Sequence, residues 1–306
     1  MRIREPGKVC DGLWYLGCEE TGVYLLEGRD GSMLMSGGMS YLVPMLLTQF
    51  RKFGIDPKRI TKILILHAHF DHIGAVPFFK RTYPHITVYA SARGWERLRM
   101  PEAIETINAF SRGVAERMGV LEECSRYDLN WRDDISGVTL SEGQHIDLGD
   151  VEIHIIETPG HSSCSITAYV PKLKALFPSD AGGIPYKDTI ITFGNSNYTE
   201  FQSSLEKLRG LQVDYVCADH YGYVTGDEAG RFIADAINLA RQNRQKMELV
   251  YRRTHDVDTA AKEMCDSIYA VYPDYFLPPD LLESVYRQMM RHIARSMGEI
   301  PDFAHA

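Results

Sequence analysis

The hexapeptide His67-Ala68-His69-Phe70-Asp71-His72 constrains this chain more than any other feature, because it follows directly on residues 61–66, an apolar run that reads as a buried strand. A turn leaving a strand splays successive side chains in alternating directions. His67 and His69 can therefore face one metal ion while Asp71 and His72 face a second a few ångströms away. Three protein groups plus a shared water or carboxylate complete such a site, so further ligands are needed. They stand downstream, each after an expected strand: His161 in Thr158-Pro159-Gly160-His161-Ser162, Asp180 in Pro178-Ser179-Asp180-Ala181-Gly182, and His220 in Ala218-Asp219-His220-Tyr221-Gly222.

The pattern around these loops alternates strands and helices twice. Leu13–Gly17, Gly22–Glu27 and Ser32–Ser36 read as a small antiparallel sheet, followed by a helix over Tyr41–Phe53. After the motif a helix is expected over Ile73–Tyr83 and a strand over Ile86–Ala90. In Glu102–Leu121, Ile104, Ile107, Phe110, Val114, Met118 and Leu121 share one helical face, most simply a core face. Strands return at Val138, Val151–Glu157, Ser165–Val170 and Ala175–Phe177. Beyond Asp214–Ala218 nothing reads as strand: helices are expected over Asp227–Tyr251 and Leu281–Met297, giving a helical appendage of about 80 residues.

The ordered set HxHxDH, GH, D, H, each member at a strand end, resembles the metallo-β-lactamase superfamily over about residues 10–225. The resemblance implies an α+β fold, a four-layer αββα sandwich, here with a C-terminal helical extension: residues 1–225 form the main domain and 226–306 a helical lid. It also implies that His67, His69 and His161 bind one divalent metal, that Asp71, His72 and His220 bind a second, and that Asp180 bridges both. Asp71 is then a catalytic residue as well as a ligand. Asp180 stands where true β-lactamases commonly carry Cys, which points to the hydrolase branch that includes glyoxalase II. Flavodiiron proteins usually have an acidic residue where this chain has His69. The tail Asp274–Leu281, leading into a helix with Arg287, Met289 and Met290, is similar to the C-terminal segment of the thioesterases of bacterial quinolone signalling.

These resemblances imply a hydrolase in which a hydroxide held between two metals attacks a small thioester or acyl ester under a lid made by residues 91–121 and 227 onward. Zinc comes first as the metal, with iron or manganese as alternatives. Alternatives to the thioesterase are a phosphodiesterase on small diesters and a regulatory protein that keeps a metal site but works by binding a partner. Tyr221, beside His220, is the expected substrate-binding residue, and the only adjacent acid for a diester.

A net charge of -8 argues against nucleic acid or an anionic membrane as partner, since both need a basic surface. The expected partner is a small-molecule substrate, and a homodimer is compatible with the sequence. No apolar run approaches a membrane span, which makes the cytoplasm the expected location. The six cysteines are scattered without a CxxC pair, as reduced thiols would be. Asp219 is set aside because its neighbour His220 is the motif residue. Cys164 reads as a small packed residue, with a thiol near the site as the alternative. His85, His145, His154, His255, His292 and His305 read as surface or packing residues.

Overall fold

Glycine-punctuated strands open the chain in the computed structural model, which describes residues 1–275 and 277–299. Phe276 of the tail motif and His305 lie outside the described residues. The first half contains β1 (Arg2–Ile3), β2 (Gly7–Cys10), β3 (Leu13–Gly17), β4 (Gly22–Gly28), β5 (Gly31–Met35), α1 (Val43–Phe53), β6 (Ile60–Leu64), α2 (Phe70–Ile73), α3 (Val76–Thr82), β7 (Thr87–Ser91), α4 (Ala92–Arg99), α5 (Pro101–Arg117), α6 (Leu121–Cys124) and β8 (Val138–Leu140). Strands β2 to β8 form one sheet in chain order, antiparallel as far as β5 and parallel from β5 to β8.

The second half contains β9 (His145–Asp147), β10 (Glu152–Glu157), β11 (Ile166–Val170), β12 (Ala175–Phe177), β13 (Ile184–Tyr186), β14 (Thr189–Ile191), α7 (Tyr198–Leu208), β15 (Tyr215–Cys217), β16 (Tyr223–Thr225), α8 (Asp227–Thr254), α9 (Val257–Val271) and α10 (Pro279–Ser296). The second sheet runs β1-β16-β15-β12-β11-β10-β9, so the first strand of the chain completes the sheet of the other half.

Strand periodicity of two sorts the side chains into layers. Tyr24, Leu26, Met33 and Met35 face Ile153, Ile155, Ala168 and Phe177 between the sheets. Their neighbours Val23, Leu25 and Leu34 turn outward onto Leu46 and Phe50 of α1 and Phe79 of α3. On the far side Leu176, Val216 and Val224 meet Phe201 and Leu205 of α7 and Phe232 and Ala236 of α8, and that cluster continues into Met264, Met289 and Ile293 of the tail. The layers are therefore αββα, and the C-terminal helices share the core of the second sheet. Each fully buried apolar side chain contributes roughly 1.5–3 kcal/mol relative to an exposed one.

Several local expectations need correction. Tyr223–Thr225 is a strand after all: three residues between Gly222 and Gly226 carry too short a pattern to read, and their pairing partners are β1 and β15. The helix expected over 73–83 is two pieces that meet at Gly74, where a Cβ would lie 2.1 Å from the Ser40 nitrogen. The stripe on α5 is only partly core. Ile107 is buried, but Phe110 and Met118 are 43% and 53% exposed, and the helix ends before Gly119, which has φ +69°. No described helix is long and apolar enough to cross a membrane.

Candidate metal centre

All seven predicted ligands come together at one edge of the sandwich. The chain leaves β6 through Ile65 and Leu66, and His67 is buried at the end of that extension. His69 is the extended residue preceding α2, and Asp71 and His72 lie in that helix. The loop is held from behind: the Ala68 N–H donates to Cys164 Sγ at 3.4 Å, so Cys164 is both packed and bonded to the motif. The His72 carbonyl accepts from the Gly37 N–H at 2.6 Å. His161 follows β10 through Gly160, whose φ of +128° and close approach to Phe201 (2.1 Å from a built Cβ to its nitrogen) leave no room for a side chain. Asp180 follows β12 in the turn Ser179–Gly182, and His220 follows β15.

His67, His69 and His161 form one group of converging donors, and Asp71, His72 and His220 another. In the first, His69 Nδ1 lies 3.1 Å from Nε2 of both His67 and His161. In the second, His72 Nε2 and His220 Nε2 are 3.2 Å apart, and Asp71 Oδ2 is 3.6 Å from each. Asp180 joins them, with Oδ2 3.3 Å from His161 Nε2 and 3.4 Å from His72 Nε2, and Oδ1 3.7 Å from His220 Nε2.

The second nitrogen of each buried ring sets its tautomer. His161 Nδ1–H donates to the Phe193 carbonyl (2.9 Å) and His220 Nδ1–H to the Glu20 carbonyl (2.6 Å). His72 Nδ1–H donates to Asp219 Oδ2 at 2.8 Å. Ser179 Oγ donates to the same carboxylate oxygen at 2.6 Å, which leaves it to accept from His67 Nδ1–H at 3.1 Å. Wherever the ring is neutral, its inward-facing Nε2 therefore carries the lone pair. Asp219 and Ser179 were not among the predicted site residues, yet they orient two of the histidines. Adjacency to His220 and Asp180 was their only sequence signal.

Burial lowers the basicity of His67 and His161, and of His69 to about 3, and for His67 and His69 the neighbouring imidazoles push the same way. Burial also opposes charge on His72, but the carboxylates of Asp180 and Asp71 outweigh it and hold that ring above its ordinary value. Asp180 is held well below the carboxylate range by His72, His220 and His161, against burial. Its Oδ1 is buried with no hydrogen-bond partner. Lone pairs about 3 Å apart and an orphaned carboxylate oxygen repel one another unless a cation lies among them. The donor spacing is close to the roughly 3.3 Å edge of a tetrahedron with 2.0–2.1 Å metal–nitrogen arms. The residues fit two divalent ions.

Above this floor lies a cavity of about 390 Å³. Its walls include Ile107 and Phe110 of α5, Leu281 and Val285 of α10, and Phe193 and Asn195. Phe110 stacks on Phe70 of the motif (5.3 Å, 29°). Arg97 and Arg117 lie at its rim and make no ion pair among the described residues. Helices α5 and α10, from the two segments expected to form a lid, both contribute lining residues. Tyr221 is not brought to the cavity. It is buried, with its ring edge-on to Tyr186 at 5.1 Å, in the core shared with the tail helices. Its φ of +61° turns the backbone so that His220 faces the site and Tyr221 faces away.

The sequence model described as the Metallo-beta-lactamase superfamily matches residues 17–220. Among curated proteins, the acyl-coenzyme A thioesterase MBLAC2 of Homo sapiens is 24% identical over 243 residues, 74% of this chain and 82% of that protein. A hydroxyacylglutathione hydrolase of Rhodopseudomonas palustris (strain HaA2) is 24% identical over 193 residues, 61% of this chain and 58% of that protein. A metallo-β-lactamase family protein of Thermus thermophilus superposes with a TM-score of 0.67 at 16% identity, covering 95% of both chains. A superfamily protein of Sulfolobus tokodaii gives 0.58 at 18% identity, covering 75% of this chain and 86% of the other.

Proposed function

The chain belongs to the metallo-β-lactamase superfamily, and from that premise we propose that it is a dinuclear metal hydrolase acting on small thioesters or acyl esters. His67, His69 and His161 would hold one ion, and Asp71, His72 and His220 the other, with Asp180 reaching both. Divalent ions supply such a site with Lewis acidity and water of lowered pKa, and zinc suits these donors first, iron or manganese next. The chain's own part is to present unprotonated nitrogens, which the Nδ1 hydrogen bonds of His161, His220 and His72 secure. Asp71, partly exposed and lining the cavity, would be the carboxylate that orients an attacking water.

The observation that carries the choice of substrate is the lining. Outside the seven ligands, the described lining residues include no Tyr, Lys, Asp, Glu or further His to protonate a poor leaving group. A thiolate departs with little protonation, and an alkoxide does not. The apolar walls favour an acyl portion, and Arg97 and Arg117 favour an anionic group elsewhere on the same molecule. The name of the human relative, an acyl-coenzyme A thioesterase, fits that combination.

The test pairs elemental analysis of the purified protein with turnover of a thioester panel and of chromogenic phosphodiesters. About two equivalents of transition metal, with thioesters turned over faster, are expected. Phosphodiesters hydrolysed faster than every thioester would overturn the substrate reading. Little metal after preparation with added zinc, iron and manganese would overturn the hydrolase itself.

A further inference from the structure

A second group of metal-type donors lies outside the cavity, on the exposed edge of the second sheet. β9 is the terminal strand there, and its antiparallel register sets His145 directly opposite His154 of β10. Glu152 stands two residues before His154 and so projects from the same face. Its carboxylate spans both rings: Oε1 is 2.9 Å from His145 Nδ1, and Oε2 is 2.8 Å from His154 Nε2. The two imidazoles are parallel, with centroids 4.1 Å apart and planes 4° from coincident. One donor atom from each of the three side chains lies within 4.8 Å of the others.

Ion pairing alone is a weak reason for this arrangement. The three side chains are 34–55% exposed, and exposed pairs contribute little against the entropy of fixing the rotamers. Two imidazoles and a carboxylate whose donor atoms lie within 4.8 Å of one another are, in contrast, the donor set of borderline divalent ions. We propose that His145, Glu152 and His154 form an additional surface site for a divalent transition ion of the zinc type. It has three protein donors and leaves the remaining coordination to water. An ion there ties the edge strand β9 to β10.

The experiment is calorimetric titration of Zn(II) into the protein already loaded at its cavity, beside the variants H145A and E152Q. The wild type is expected to take up one equivalent more than either variant. Thioester hydrolysis should be equal in all three. Far-UV circular dichroism checks that the variants fold, and H154Q provides an independent substitution. Equal zinc uptake by the wild type and folded variants overturns the proposal. Because the titration counts metal at the sheet edge, its outcome is separable from failure of the hydrolase reading, which would show as missing turnover.

Discussion

The imidazoles on the floor of the cavity are held at both ends, whereas the side chains of its walls are held at one. His72, His161 and His220 each donate a hydrogen bond from Nδ1 outward while Nε2 faces the cluster, and the partners are themselves buried or part of the backbone. On the walls Phe110 is 43% exposed and stacks on Phe70. Arg97 and Arg117 are exposed and make no ion pair among the described residues. The floor is thus preorganised for one arrangement, and the walls can be re-cut without disturbing it. That division separates chemistry from selectivity, and each prediction below tries to break it.

The largest effect should come from Asp180→Asn. Removing the charge that reaches both donor groups should reduce metal content sharply and turnover to background, measured by elemental analysis and a thioester assay. Retention of two metals with full activity would show that the floor is not one unit. Asp219→Asn touches no predicted ligand position but replaces the charged carboxylate that accepts from His72 Nδ1–H with a neutral amide, and should cost roughly 10–100-fold in metal affinity or turnover. A loss no larger than that of a wall variant would erase the distinction between floor and walls. Gly160→Ala sharpens the same point from the backbone: the added Cβ meets Phe201 and must shift His161, so metal should leave it faster in a chelator competition.

Wall substitutions should act on binding. Phe110→Ala is expected to raise KM for long-chain thioesters by about tenfold, equivalent to roughly 1.4 kcal/mol, with kcat for the shortest substrate unchanged. A fall in kcat across the panel would place Phe110 in the chemistry. The smallest effect concerns the metal-free protein and pH. His69 has a folded pKa of about 3 against an ordinary value near 6.5. The unfolded chain therefore binds its proton first, and stability falls as pH drops from 6.5 toward 3. His67 and His161 are shifted the same way, while His72 is shifted upward and opposes them. The net expectation is a lower Tm at pH 5 than at pH 7, and a flat or rising profile would mean the rings are not buried together.

The motif at 67–72 was readable because its four candidate donors are chain neighbours after a single strand, and chain geometry alone splays them. His161, Asp180 and His220 were readable because each is the residue delivered by a strand end, a local event repeated in order. Asp219 and Ser179 were not. Their role depends on two loops 40 residues apart meeting at one oxygen, and Asp219 looked like a bystander to His220. Tyr221 misled for the mirror reason: sequence adjacency to a ligand says nothing about direction when φ is positive. The stripe on α5 read as core because periodicity reports an apolar face and is silent on what that face meets. Here it lines a cavity together with α10, a segment more than 160 residues later. The sequence by itself determined which residues can bind metal and the order in which strands deliver them, since both follow from covalent neighbourhood. Only the tertiary structure decided which nitrogen of each ring is free and what shape the cavity has, since both depend on contacts between segments that the chain keeps far apart.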